Sequence, residues 1–217
     1  MELLTVAKTR FASHYILLQC LLECREDLAT TVVPNSCKGW VRKGDENTKI
    51  IRALVAETIS SVSFCEEVKN VVRITKPIFL LIKFVDGEGP KMGEFYERMD
   101  VMLGEIKKIM KNNKYASCSS EMESIITARW TKMNYIIHCV GFALTPRFYD
   151  SNYLATPALG GIARKVPNQD KEVVPAMMEA FEKISENSEE QKLLRVQFAD
   201  FTQRKEYTQW LQLSWMR

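Results

Sequence analysis

Few side chains in this 217-residue sequence are of the kinds and spacings that do chemistry. Arg10 and Phe11 stand just ahead of a hydrophobic run, from Ile16 onward, that recurs at helical spacing. At a helix start a basic side chain can reach an anion and a ring can stack on a flat group. The competing role for Phe11 is packing, the ordinary use of an aromatic there, with Arg10 as a solvated neighbour. Arg129 is suited either to a carboxylate or to a phosphate, and the sequence does not choose. His138 lies among Ile136, Ile137 and Val140 with no nucleophile beside it, so a hydrogen-bonded structural histidine is expected rather than a general base. Trp130 is expected to anchor the core.

Metal chemistry is poorly supplied. The six cysteines, Cys20, Cys24, Cys37, Cys65, Cys118 and Cys139, include no CxxC pair, and the histidines are only His14 and His138. A zinc site would have to be gathered from distant parts of the chain, so neither a metal nor a cofactor is expected. Glu94, Glu97 and Asp100 follow a polar helical face opposite Met99, Met102 and Ile106, and solvation is their expected state. Lys107, Lys108, Lys111 and Lys114 form the clearest basic cluster. The net charge of +3 is too small to argue for nucleic-acid binding by itself.

The elements that must position these groups are helical throughout. Hydrophobic residues make up 46% and charged residues 26% of the chain, an ordinary globular composition. Ile50, Ile51, Leu54, Val55, Thr58, Ile59 and Val62 form one stripe, with Asn47-Thr48 as its cap. Val68 to Ile82 form a second, in which Pro77 predicts a kink or a break. "DGEGP", Asp86 to Pro90, is a stop and turn, and Pro90 and Gly93 set the start of a third helix bearing Phe95, Met99, Met102, Leu103, Ile106 and Met110. A fourth helix starts at Ser119-Ser120, with Glu123 placed for a capping box, and runs through Val140. The stretch from Leu144 to Gln169 holds three prolines and reads as a long loop or helical linker. Val173 to Ile184 and a segment capped by Ser188 give two more helices. The expected fold is therefore all-α, a multi-helix bundle.

The N-terminal Met1-Glu2-Leu3-Leu4 lacks the pattern of a secretory signal. The longest apolar run, near Pro77 to Ile82, is far short of the roughly 20 residues of a membrane span. A soluble, intracellular, thiol-reduced protein that contacts no membrane is expected.

Three stretches carry a resemblance. They are "TRFAS" at Thr9–Ser13, "FVDGEGPKMGEFYERMD" at Phe84–Asp100 and "RWTKMNYIIHCVGFALTPRFY" at Arg129–Tyr149. In this order and at these separations the chain resembles plant hAT-family transposases and their domesticated relatives, from about Lys8 to about Phe201. The likeness is to the helical region that interrupts their RNase H-like catalytic domain. Thr145 stands where the family usually has asparagine.

The resemblance implies a DNA-transposition ancestry and a nuclear rather than cytoplasmic location. Such transposases cleave DNA with three carboxylates that hold two divalent metals. Those acids, the BED-type zinc finger and the C-terminal dimerisation motif have no match in this sequence, and the tail from Arg204 onward departs from the family. The expected protein is thus no enzyme and takes no small-molecule substrate. It is a truncated or domesticated transposase derivative that binds a protein partner or another copy of itself, with weak, non-specific DNA contact. The alternative is a fragment of an active transposase whose catalytic acids and dimerisation segment lie outside this chain.

By resemblance, an aromatic ring at Phe11 can stack on a displaced base, with Arg10 beside it. Arg129, Lys107 and Lys108 complete the DNA-contact candidates. Trp210, Leu213 and Trp215 are the candidates for a protein interface, unless they fold back to complete the core. Residues 1–143 are expected to form the main helical domain, 144–169 a linker, and 170–217 C-terminal helices packed on the same domain.

Overall fold

The computed structural model describes residues 11–32, 35–89, 91–133, 135–158 and 163–203. All regular structure among them is helical, as the periodicity implies. The chain divides into two compact units, Met1–Ile82 and Lys83–Arg217. Residues 144–203 fall in the second unit with the helices from Lys83 onward.

The first unit contains α1 (Phe11–Glu23), α2 (Arg25–Val32), α3 (Asn35–Val41), α4 (Glu46–Ser60) and α5 (Val62–Val85) as far as Ile82. Its buried residues are Tyr15, Cys20, Cys24, Cys65, Val68, Ile74 and Pro77, and the ring of Tyr15 stacks on Phe79 with centroids 4.2 Å apart. The Cys20 and Cys24 sulfurs, one turn apart, lie within 4.0 Å as free thiols. α5 runs unbroken through Pro77, so of the kink or break expected there the break does not occur. The proline removes one donor from the ladder, and its ring is buried among the apolar groups of this unit. The cap of α4 is Asp45 rather than Asn47-Thr48: its Oδ1 accepts from the Thr48 backbone N–H at 2.8 Å. Gly44 precedes it at φ 104°, a left-handed turn that glycine adopts without strain.

The second unit contains α6 (Met92–Lys111), α7 (Ser119–Met133), α8 (Ile136–Ala143), α9 (Ser151–Ala155), α10 (Val173–Ile184) and α11 (Ser188–Gln203). Short 3-10 turns occupy Ala116–Cys118, Pro146–Tyr149 and Pro167–Gln169. The expected fourth helix is therefore two helices. The second of them starts where the backbone N–H of Tyr135 donates to His138 Nδ1 at 3.1 Å, a local cap that fixes a fresh start. Glu123 does not form a capping box, because its carboxylate reaches Lys107 on α6 at 2.6 Å. The cap of α11 is Asn187, not Ser188: the Asn187 Oδ1 accepts from Glu190 N at 2.9 Å.

Within this unit α8 is the hub. Cys139, Phe142 and Ala143 are buried together with Tyr96 of α6, Phe148, and Val173, Met177 and Phe181 of α10. Trp130, Leu194 and Phe198 pack on that cluster, as expected for Trp130. The α6–α8 crossing is made by two glycines. A Cβ on Gly93 would lie 2.6 Å from the Gly141 carbonyl oxygen and 2.5 Å from Thr145 Oγ1. Gly93 is thus required by a helix contact rather than by the start of α6.

Gly93→Ala is accordingly expected to destabilise the protein by about 1–3 kcal/mol, the overpacking cost exceeding the ~1 kcal/mol that alanine contributes as a better helix former. Urea unfolding followed by far-UV circular dichroism measures this, and a midpoint at or above that of the native chain would refute it.

Candidate functional site

Two surfaces could act on other molecules: a polar cleft in the second unit and an apolar face in the first.

The cleft is built on α6. Tyr96, Glu97, Asp100, Val101, Leu103 and Gly104 line one side of a cavity of about 230 Å³, and Tyr153, Arg164, Lys165 and Asp170 the other. An adjoining cavity of about 280 Å³ shares Tyr96, Asp100, Lys165 and Asp170 and adds Trp130, Lys171 and Glu172. Asp170 fixes the far wall locally: its Oδ1 accepts the backbone N–H of Glu172 at 2.8 Å and so opens α10. The same oxygen accepts from the Tyr96 hydroxyl at 3.1 Å, while Trp130 Nε1 donates to Glu172 at 3.2 Å. Burial, and then the charges of Asp170 and Glu172, hold the Tyr96 phenol protonated well beyond its ordinary range.

Glu97 and Asp100 lie one turn apart and in opposite surroundings. Glu97, with only 13% of its side chain exposed, sits between two guanidinium groups. Arg164 Nη2 is 3.3 Å from one carboxylate oxygen and Arg147 Nη2 is 3.6 Å from the other. The Arg164 guanidinium also lies over the Tyr153 ring, 4.0 Å from its centroid, and donates to the Tyr153 carbonyl at 3.2 Å. Arg147 adds a contact to Glu94 at 3.5 Å. Asp100 keeps an exposed edge but meets carboxylates instead. The cleft walls, and then Asp170 and Glu172, push its acid up to about 6, opposed by Lys165. Solvation, the state expected for this polar face, therefore does not describe Glu97, and Asp100 is crowded by acids. The sequence carried only a faint signal for this, because the arginines, Lys165 and Asp170 come from the segment that reads as linker or from its edge.

The other named groups are placed as follows. Phe11 is the first residue of α1 and is 43% exposed, so it is not the packing group expected; Tyr15 fills that role. Arg129 is exposed on α7. Lys107 is paired with Glu123 and borders the cleft, whereas Lys108 and Lys111 are exposed on the last turn of α6, where cations meet the negative end of the helix dipole. His138 has the structural role expected of it. Its Nδ1 accepts a backbone hydrogen bond and its ring lies 5.0 Å from Phe95, and burial lowers its pKa from the ordinary histidine value. Arg10, Trp210, Leu213 and Trp215 lie outside the described residues. Among the described residues no three histidine, cysteine or acidic side chains are arranged to hold a metal ion, and no helix is long and apolar enough to cross a membrane.

The second surface is α4, where no residue is buried. Ile50, Ile51, Leu54 and Val55 are 46–61% exposed, so this part of the apolar stripe faces outward, with Val55 at its edge beside a groove. The opposite side of the helix faces its neighbours. Arg52 Nη1 donates to the carbonyls of Trp40 at 2.9 Å and Lys43 at 2.7 Å, and its guanidinium lies over the Trp40 ring at 4.4 Å. A groove of about 420 Å³ runs beside it, lined by Leu28, Val32, Cys37, Trp40, Val55 and Ile59.

Comparison with protein-family models, with curated proteins and with solved structures finds no match to this chain.

The raised acid of Asp100 predicts a pH signature. In the fold this carboxyl prefers its proton, so stability falls as pH rises from about 4 through about 6, where the folded state must release a proton the unfolded chain has already lost. Asp100→Asn removes that titration. It is expected to be more stable than the native chain near pH 7, by about 1 kcal/mol after allowing for solvent at the exposed edge, and no more stable near pH 4. Thermal melts at both pH values test this, and a gain independent of pH would exclude the acid crowding as its cause.

Proposed function

We propose that this chain is a non-catalytic, transposase-derived helical protein that acts by binding other macromolecules, with proteins as its principal partners and DNA contacted weakly. The observation that carries the protein-binding reading is the outward apolar face of α4. Ile50, Ile51, Leu54 and Val55 form a continuous stripe that water covers in the isolated chain, and contiguous exposed apolar surface marks interaction sites far more often than single exposed residues do. The transposase ancestry is supported by the residues of "TRFAS", "FVDGEGPKMGEFYERMD" and "RWTKMNYIIHCVGFALTPRFY". By resemblance the matched stretches belong to the helical region that interrupts the family's catalytic domain, a region that does not itself carry the metal-binding carboxylates. Glu97, an acid within them, is engaged with Arg147 and Arg164.

Weak DNA contact would use the exposed groups Phe11, Arg129 and Lys108. They are few, and the Lys107 ammonium is already paired. Binding to duplex DNA measured across several salt concentrations is therefore expected to show a shallow slope, because few phosphates are neutralised. Tight sequence-selective binding at physiological salt would contradict it.

The protein-binding reading is tested with the immobilised full chain in a nuclear extract. Proteins retained by the native chain are expected to be lost from a Leu54→Glu chain of unchanged helicity. Retention indifferent to that substitution overturns the assignment to α4. Metal-dependent nicking of supercoiled DNA that follows this chain through successive purification steps overturns the non-catalytic reading.

A further inference from the structure

Cys20 and Cys24 are buried groups that neither the cleft nor the α4 face uses. Their side chains are 5% and 4% exposed, and the two Sγ atoms lie 4.0 Å apart. The backbone fixes that separation. Helical hydrogen bonds of 2.9 Å run through Cys24 on both sides, from its own N–H to the Cys20 carbonyl and from the Leu28 N–H to the Cys24 carbonyl. The ladder thus continues from α1 into α2 and keeps the two residues one turn apart. Cβ atoms one turn apart on a helix are about 5–6 Å from each other, well beyond the ~3.8 Å of a disulfide. The helix brings the two sulfurs within reach of one ion and opposes their closing into a bond.

We propose that Cys20 and Cys24 form a two-coordinate site for a soft monovalent cation, Cu(I), held by both sulfurs as thiolates. The site is independent of the protein-binding reading above. Bond lengths allow it: with metal–thiolate bonds of about 2.3 Å, sulfurs 4.0 Å apart subtend about 120° at the ion. A linear arrangement needs the sulfurs to part by about 0.6 Å at that bond length, a small rotation of the side chains. Loading is a ligand exchange without electron transfer. One Cu(I) ion and two thiols give one bis-thiolate complex and two protons, which pass to solvent.

The donor set selects the ion. Thiolates are soft and favour Cu(I), zinc and iron–sulfur clusters over magnesium, calcium or manganese. Structural zinc and the clusters are ordinarily held by four protein ligands, whereas among the described residues no three histidine, cysteine or acidic side chains are grouped to hold an ion. Among the same residues no polar or charged side chain is buried that could supply a hard donor. Cu(I) differs in that two thiolates complete its coordination. The site is also reachable. Glu23 and Glu26, close to Cys24 on either side in the sequence, are exposed, and α2 buries none of its residues. An ion therefore has a short path to the Cys24 sulfur, and the apolar interior of the unit then keeps water from it.

Titration of the full chain with Cu(I), delivered without oxygen in ascorbate against a coloured Cu(I) chelator, tests the proposal. The native chain is expected to draw the first equivalent from the chelator with release of two protons. X-ray absorption of the loaded chain is expected to show two sulfur neighbours. Cys20→Ala and Cys24→Ala are each expected to weaken binding by about 10²–10⁴-fold, since the second thiolate engages within the same molecule. Cys37→Ala and Cys118→Ala remove thiols that are not buried and are expected to leave it unchanged. Circular dichroism verifies the folding of each variant. First-equivalent binding lost with Cys37 or Cys118 would overturn the site. So would a native chain that competes with the chelator no better than the Cys20→Ala, Cys24→Ala double variant. Should those variants fail to fold, nitrogen or oxygen neighbours in the absorption spectrum of the native chain would overturn the site on their own.

Discussion

The arrangement of the second unit depends on how closely α6 and α8 approach. At Gly93 and Gly141 the two backbones leave no room for a Cβ on the first helix, and the Thr145 hydroxyl closes the contact by donating to the Gly141 carbonyl at 2.6 Å. The consequences run outward along both helices. One turn beyond the crossing, Tyr96 stacks on Phe142 at 4.9 Å, and Phe142 in turn meets Phe148 at 4.5 Å. The chain leaving α8 is held by Tyr149, whose hydroxyl donates to the Ala143 carbonyl at 2.8 Å. That return brings Arg147 back over the acidic face of α6. A crossing made of larger residues would separate the helices and carry Arg147 away from Glu94 and Glu97. The polar cleft is therefore a product of the glycine contact as much as of its own charges.

Within the cleft, the charge of the neighbours divides two carboxylates on one helix. Glu97 is desolvated but faces Arg147 and Arg164, and each guanidinium also rests on an aromatic ring, that of Phe148 or Tyr153. Its cost of burial is offset by the opposite charge of the two guanidinium groups. Asp100 keeps an exposed edge, yet the cleft walls desolvate its carboxyl, and the like charges of Asp170 and Glu172 then oppose its ionisation further. Tyr96 lies between the two regimes. Its hydroxyl proton serves one acceptor at a time, with Asp170 the nearer, and through Asp170 it ties the aromatic core to the first turn of α10.

Local signals in the sequence reached as far as the helices themselves. The apolar spacing of α6 and α10 placed Met102, Ile106, Met110, Val173, Met177 and Phe181 inside, where they are buried. Boundaries set by side-chain chemistry were less legible. Asp45 and Asn187 outcompete the nearby Thr48 and Ser188 as caps, a choice fixed by backbone geometry at each helix start. The interruption before α8 was hidden because the apolar pattern continues through it and the capping group is a histidine, a residue type that seldom announces a helix start. The cleft was illegible for a different reason. Its partners are separated by as many as 76 residues, as in Tyr96 and Glu172, and no periodicity within one helix can report them. The resemblance carried by "TRFAS" and its companion stretches says nothing of which acids are neutralised by which arginines.

The orientation of α4 was the largest departure from periodicity, and its cause lies in α3. The Trp40 carbonyl in the last turn of α3, which also accepts the Lys43 N–H, and the Lys43 carbonyl beyond that helix both accept from Arg52, whose guanidinium lies over the Trp40 ring. At their solvent-exposed end of the range, two such charge-assisted bonds contribute about 3 kcal/mol together, and the stacked guanidinium about 0.5–2 kcal/mol more. Turning the helix to bury Ile50, Ile51, Leu54 and Val55 would remove about half of each side chain from water, for about 3–6 kcal/mol in all. The two quantities are of similar size, so the arginine clamp is sufficient to hold the apolar face outward. Because the clamp acts through groups on the opposite side of the helix, covering that face would leave Arg52 and its carbonyls undisturbed. The stripe is thus available for association without any rearrangement of the helices that support it.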